Sequence, residues 1–246
     1  MREIEKEYEV HYYEIDRNGN LTANALLSYL EDLFVYHLYV NDLNFKYSAK
    51  NKLSWIIGQW DINMKEYPSF ADKIYIKIYP VAYKKFYLWN KYEIYDKNRK
   101  IIGSVDSAWL LINTESRKLE NISEVFKKAF ELTKDDEKMG KIEKLQKIQS
   151  IDNEISVSAK YTDIDTNGHV NNITYLSWAI ETIPMDIIEK YKISNLQIKY
   201  YKECMYGEKV NSRCEIMKQE NSVQSRHEIV NKNGDIITFF NIIWVE

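Results

Sequence analysis

The chain has 246 residues, enough for one large domain or two of ordinary size, each able to bury a core. At 45% hydrophobic and 29% charged, with 7 Gly and 3 Pro, it has the composition of a globular protein and little room for disordered linkers. A formal net charge of −3 argues against a general nucleic-acid binder, and two cysteines are too few for a disulfide framework.

The N-terminus, M-R-E-I-E-K-E-Y, is charged from its second residue and lacks the apolar core of a signal peptide. No apolar run approaches the ~18 residues needed for a membrane span. A soluble, cytoplasmic protein is expected. Residues 4–15 read as a strand, followed by the polar D-R-N-G-N. A helix is predicted from Thr22 to Val40: Leu26, Leu30, Leu33, Phe34 and Leu38 keep helical spacing, and Thr22 is placed to cap it. His37 falls on or beside the apolar face, where a core-edge role is expected. After the polar stretch 41–52 come strand-like runs at Trp55–Tyr67, Lys73–Tyr83, Phe86–Asp96 and Ile101–Asn113, the last two joined by the turn D-K-N-R-K. Residues 115–150 are charge-rich, with a helical patch around Val125, Phe126 and Phe130.

The order then repeats. A strand is predicted at Glu154–Tyr161, a helix at Asn172–Thr182, and a short second helix opened by Pro184. Strands come next at Asn195–Glu203, Glu208–Lys218, Val223–Asn231 and Asp235–Val245, with Asn233-Gly234 marking the last hairpin. D-R-N-G-N (16–20) aligns with D-T-N-G-H (165–169), and Y-E-I-Y-D-K-N-R-K-I-I aligns with H-E-I-V-N-K-N-G-D-I-I. This is a duplicated domain. A long helix followed by an antiparallel meander predicts a sheet wrapped around that helix, an α+β hot-dog fold used twice, its copies able to pair edge to edge. The expected boundaries are 1–135 for the first domain, 136–150 for the linker and 151–246 for the second domain.

The chemistry concentrates at D-I-D-T-N-G-H-V-N-N-I-T-Y-L-S-W-A-I-E (163–181). Asp165, Asn167 and His169 alternate, so an extended backbone would bring them to one side, just ahead of a helix N-terminus whose free N–H groups favour negative charge. The shared D-x-N-G is by itself turn chemistry. The imidazole, replaced by Asn20 in the first copy, marks the second copy as the chemical one. Cys204 and Cys214 belong to no CxxC or Cys/His cluster, so neither a metal nor an organic cofactor is expected.

The pattern D-x-N-x-H-V-N-N-x-x-Y-x-x-W-x-x-E, with Y-x-x-E-C at Tyr200–Cys204, resembles the acyl-ACP thioesterases of the plant plastid type and their bacterial relatives. W-I-I-G-Q-W-D-I-N-M-K-E-Y-P-S-F-A-D-K-I in the first half extends the resemblance over nearly the whole chain. It implies a tandem hot-dog fold, hydrolysis of a fatty acyl thioester on acyl carrier protein, and an acyl pocket largely in the first copy, where Leu30, Phe34, Trp55 and Ile57 could line it. The absence of a transit extension points to a bacterial, cytoplasmic member.

Within that reading Glu203 acts as general base on water, His169 shares the proton transfer or polarises the carbonyl, Asn167 orients, and Asp165 holds the network. Cys204 is the rival nucleophile; adjacent strand residues face opposite sides, so one of the two reaches the site. Asn171 and Asn172 cap the helix or touch the substrate's arm, while Tyr175, Trp178 and Trp109 read as core. Lys84-Lys85, Arg99-Lys100, Arg117-Lys118 and Lys127-Lys128 are candidate docking points for an acidic carrier protein, or solvated turns. An acyl-CoA thioesterase and a non-catalytic acyl-thioester-binding module stay open as alternatives, a dehydratase fits the motif less well, and a homodimer is neither required nor excluded.

Overall fold

In the computed structural model the described residues are 1–140 and 144–246. The chain forms two compact units, Met1–Ile142 and Glu143–Glu246. Residues 141–143 of the expected linker lie outside the described residues.

The first unit runs β1 (Ile4–Glu9), α1 (Ala23–Val40), α2 (Phe45–Asn51), β2 (Leu53–Met64), β3 (Lys73–Lys84), β4 (Tyr87–Tyr95), β5 (Ile101–Asn113) and α3 (Glu124–Ala129). Its five strands are antiparallel in the order β1-β3-β4-β5-β2. The second unit runs β6 (Asn153–Ser158), α4 (Asn172–Ile180), α5 (Met185–Lys190), β7 (Lys192–Tyr200), β8 (Lys209–Lys218), β9 (Ser222–Asn231) and β10 (Ile236–Val245). Its order is β6-β8-β9-β10-β7, the same topology with every strand matched one for one. Each unit is a hot-dog fold, and the chain is the tandem α+β arrangement the sequence predicts.

In the first unit α1 lies on the inner face of its sheet. Thr22 caps it, its side chain accepting the Ala25 N–H at 3.1 Å, and Leu26, Leu27, Leu30, Leu33 and Phe34 are all buried. Phe34 stacks on Trp109 of β5 at 3.9 Å, and Trp109 meets Trp60 of β2 edge-on at 5.7 Å. Phe34, Trp60 and Trp109, all buried, thus fill the space between helix and sheet. In the second unit α4 is half as long, 9 residues against 18. It stops at Ile180, two residues short of the predicted end, with Pro184 ahead as the N-cap of α5. Proline cannot continue a helix, which divides the second copy's helical cover in two.

Three local expectations change. The strand predicted over 4–15 ends at Glu9 and gives way to a 3-10 turn at Tyr12–Glu14, stabilised by the His11 N–H donating to Glu14 at 2.8 Å. The polar stretch 41–52 contains α2, whose N-cap Asn44 accepts the N–H groups of Lys46 and Tyr47. The strand predicted to reach Glu203 ends at Tyr200, so Glu203 and Cys204 lie in the segment after β7.

The expected linker is packed at both of its ends. Gly140 lies against Trp89, where a Cβ would fall 2.2 Å from the ring, so only glycine allows that approach. Asp136 takes two hydrogen bonds from the Arg2 guanidinium at 2.7 and 2.8 Å. In the second unit, Gln149 donates its N–H to Glu215, whose carboxylate pairs with Arg226 at 3.2 Å.

The Arg2 guanidinium, helped by the N–H and hydroxyl of Thr133, outweighs burial and holds the Asp136 carboxyl well below the usual carboxylate range. Because the folded value is depressed, the unfolded chain takes up this proton first as pH falls. The contribution is therefore full above about pH 4 and is lost in more acidic solution. Asp136→Asn should remove about 1–2 kcal/mol at pH 7, since Arg2 is partly solvated, and flatten the acid limb of the stability curve. Calorimetry from pH 7 down to pH 3 checks this; identical pH slopes in the two proteins would contradict it.

Candidate active site

The site is built on a turn and the segment that closes against it. After a 3-10 turn at Tyr161–Asp163, the chain reverses over Asp165–His169. The Asp165 N–H donates to the His169 carbonyl at 2.8 Å, and the Gly168 N–H to the Asp165 carbonyl at 3.1 Å. Gly168 has φ +81°, a left-handed conformation that L side chains resist, and nothing lies within 4 Å of where its Cβ would be. Glycine is needed here for its backbone and not for space.

This geometry corrects one expectation. The backbone from Asp165 to His169 is not extended, so alternation does not bring the three side chains to one side. The Asp165 carboxylate instead accepts the N–H groups of Asn167 at 2.7 Å and His169 at 3.4 Å, and the Asn167 side chain donates to it at 3.3 Å. Asp165 holds the turn, with Asn167 folded back onto it. The same arrangement recurs at Asp16, where the N–H groups of Asn18 and Asn20 donate at 2.8 and 3.0 Å. It recurs again in the hairpins at Asp96 and Asn231. These are Asx turns, repeated wherever the chain needs this reversal.

Main-chain pairing places the imidazole. His169 forms an antiparallel bridge with Met205, and the Val170 N–H donates to the Cys204 carbonyl at 2.8 Å. His169 Nε2 thereby comes to 3.1 Å from Glu203 Oε2, with the His169 side chain 16% exposed and that of Glu203 41%. A carboxylate and an imidazole thus meet in a partly exposed position.

Cys204 faces the other way. It is fully buried, its thiol directed to the Met205 carbonyl at 3.8 Å, and its N–H donates to the Tyr175 hydroxyl at 3.0 Å. Burial, with the Glu208 carboxylate adding to it, pushes the thiol up to about 12. A thiolate is the nucleophilic form, and this environment opposes it. Of the two adjacent candidates, the structure brings Glu203 to His169.

Asn171 is the N-cap of α4; its side chain accepts the Ile173 N–H at 2.9 Å, and the Thr174 N–H bonds the Asn171 carbonyl. Two of the helix-start donors that could have served an oxyanion are therefore engaged within the helix. Asn172 opens the helix, and its carbonyl accepts the Tyr200 hydroxyl at 3.2 Å. Tyr175, read from sequence as core, is buried but also holds the Cys204 backbone. In the first unit Leu30, Phe34 and Ile57 are buried, and Trp55 meets Phe34 edge-on at 5.9 Å. Three of the basic clusters carry acidic partners: Lys84 pairs with Glu137, Arg99 with Glu5, Lys100 with Glu66 and Lys127 with Glu124. Among the described residues no group of three His, Cys, Asp or Glu side chains could hold a metal ion, and no helix is long and apolar enough to cross a membrane.

The first unit has the frame without these groups. The Leu21 N–H donates to the Pro68 carbonyl at 2.8 Å, and Asn20 bridges to Ser69. Asn20 thus occupies the place of His169, Tyr67 that of Glu203, and Pro68 that of Cys204.

Residues 2–130 match the family description "Acyl-ACP thioesterase N-terminal domain", and residues 143–246 match "Acyl-ACP thioesterase C-terminal domain". The chain is 22% identical over 222 residues to oleoyl-acyl carrier protein thioesterase 2 of Arabidopsis thaliana, a chloroplastic protein, covering 82% of this chain and 60% of the relative. It spans roughly half to three-fifths of the length of the curated relatives it matches. A Lactobacillus plantarum crystal structure, provisionally assigned as an oleoyl thioesterase, superposes with a TM-score of 0.91 at 19% identity, covering 99% of this chain and 96% of that one. An acyl-ACP thioesterase from Bacteroides thetaiotaomicron does so at 0.84 and 21% identity, covering 98% and 97%. At such identities the superpositions establish the shared fold.

Burial of both free cysteines has a direct chemical consequence, since Cys214 is also fully buried and its thiol is raised by burial. In the native protein at pH 8 neither should react with a thiol reagent within minutes, and both should react once the chain is unfolded. A rapid native reaction at Cys204 would mean that its thiol reaches solvent.

Proposed function

We propose a hydrolytic function from a premise that the two domain matches establish: this chain belongs to the acyl-ACP thioesterase family. The reaction is hydrolysis of a fatty acyl thioester on acyl carrier protein to the free fatty acid and the carrier's thiol. The observation that carries it is the His169–Glu203 pair, partly exposed and held at 3.1 Å on a frame whose first copy has neither group.

A thioester carbonyl is already electrophilic, so the enzyme has to orient water and manage two proton transfers. Glu203 takes a proton from a water whose oxygen attacks the carbonyl carbon. The C–O bond forms, and charge collects on the carbonyl oxygen. His169, within hydrogen-bond reach of Glu203, passes the proton toward the sulfur as the C–S bond breaks, so the carrier leaves as a thiol. Asp165 and Asn167 enter as supports, fixing the turn that carries the imidazole. No acyl-enzyme is needed, in keeping with the burial of Cys204.

The domain roles follow the family resemblance: the first unit for the acyl chain, with Leu30, Phe34, Trp55 and Ile57 as candidate lining, and the second for the chemistry. His169 and Glu203 come from one unit, so a homodimer is not required to complete the pair. Two free cysteines fit a reducing, cytoplasmic setting.

The test is hydrolysis of a panel of acyl-ACPs with matched acyl-CoAs. Wild type should turn over acyl-ACP, while Glu203→Ala and His169→Ala should each lose about 10²–10⁴-fold in kcat, the usual range for a general base. Cys204→Ala should stay within a few-fold of wild type. Turnover of acyl-CoA alone would favour the CoA handle. Tight acyl binding with no turnover of either would favour a binding module.

A further inference from the structure

Tyr175 looks like an ordinary core aromatic. It is 2% exposed and meets Trp178 edge-on at 5.4 Å. Its hydroxyl does something more specific by accepting the Cys204 N–H at 3.0 Å. Cys204 is fully buried, and a buried backbone N–H needs a partner.

The first unit provides an internal comparison. Counted from the helix caps Thr22 and Asn171, the position of Tyr175 is occupied by Leu26, which is equally buried at 1%. The position of Cys204 is occupied by Pro68, a residue with no N–H to satisfy. The two positions differ together. Where the N–H exists a hydroxyl meets it, and where it is missing the helix carries leucine.

Two other anchors of the segment are common to both copies. The Val170 N–H on the Cys204 carbonyl corresponds to the Leu21 N–H on the Pro68 carbonyl. The Met205 N–H on Glu208 at 3.0 Å corresponds to the Ser69 N–H on Asp72 at 2.8 Å. The tyrosine anchor is particular to the second copy, the one in which the residue just before it is Glu203 and not Tyr67.

We propose that Tyr175 is a positioning residue: by holding the Cys204 backbone through its hydroxyl, it keeps the Glu203 carboxylate aimed at His169. This rests on the assignment of Glu203 and His169 as the reacting pair. Tyr175 acts through the Cys204 backbone. Its effect is on where the base sits, so removing the hydroxyl should act on turnover and leave substrate binding alone.

The experiment compares wild type, Glu203→Ala, Tyr175→Phe and the double variant Tyr175→Phe/Cys204→Pro, using acyl-ACP hydrolysis, thermal melts and crystal structures. Tyr175→Phe should stay folded and lower kcat about 10–100-fold with KM within about twofold, as expected for a displaced catalytic group. The double variant copies the first unit's solution, deleting the N–H and restricting the residue before the proline to extended backbone. It should recover most of the lost kcat. In the crystals the His169 Nε2–Glu203 Oε2 separation should open beyond 4 Å in the single variant and return to near the 3.1 Å of the wild type in the double.

A Tyr175→Phe protein with kcat within twofold of wild type, or with the pair still closed, would overturn the proposal. So would a double variant no more active than the single one, which would assign Tyr175 to core packing. If Glu203→Ala retains full turnover, the reaction assignment fails, and the crystal distances still decide whether Tyr175 sets the pair.

Discussion

The candidate site depends on one backbone closure, the antiparallel contact of His169 and Val170 with Cys204 and Met205. Two stretches far apart in the chain are joined there by main-chain bonds. At this closure the two neighbouring side chains part. Cys204 goes into the core and Glu203 goes out to the imidazole. The closure thus sets which of the two neighbours lies beside the imidazole.

The duplication separates frame from chemistry. Both units have the Asx turn, the left-handed glycine, the closure after the strand and the carboxylate that caps the next bend. A feature present in both copies answers to folding. Among the positions that differ are Asn20 against His169, Tyr67 against Glu203, Pro68 against Cys204 and Leu26 against Tyr175. These four lie around a single turn and its closing segment. The helices differ in the same sense, since the 18-residue α1 makes a larger apolar roof than α4 and α5, divided at Pro184.

Much of the fold was legible because it is written in short-range patterns. Strands β2 to β5 and β8 to β10 alternate or run apolar between turn residues, and α1 has both its stripe and its cap. The 3-10 turn at Tyr12–Glu14 was not legible: Y-Y-E-I continues the alternation of β1, and only the His11–Glu14 cap ends it. Helix α2 was hidden because its seven residues bury no side chain fully and carry no apolar stripe. The site divides the same way. The D-x-N-G turn is legible locally, since Asp and Asn side chains accept the N–H groups two and four residues on wherever it recurs. Contact between His169 and Glu203 could not be read from spacing, because it arises from pairing between distant segments; family resemblance placed both in one candidate set without bringing them into contact. The Tyr175–Cys204 bond was missed for that reason too, although the paired change to Leu26 and Pro68 was present in the sequence.

The chain has four histidines, and their surroundings differ. His37 and His227 are fully buried, and burial pushes them down to about 4 and about 3, so both stay neutral and locked in the core. His11 is the real competitor, since its ring lies 3.0 Å from Glu14 Oε2, much as His169 lies near Glu203. But Glu14 is already in use. Burial opposes its charged form, yet the Tyr29 hydroxyl and the His11 N–H and ring outweigh it and hold the carboxyl below its ordinary value. With its oxygen serving as a cap for the 3-10 turn, Glu14 is a poor proton acceptor. His169 and Glu203 have the opposite arrangement: the turn is held by a different carboxylate, Asp165, and the bend after the pair by Glu208. Around His169 the carboxylates that hold the turn and the bend are different side chains from the one beside the imidazole, whereas at His11 a single carboxylate, Glu14, fills both places.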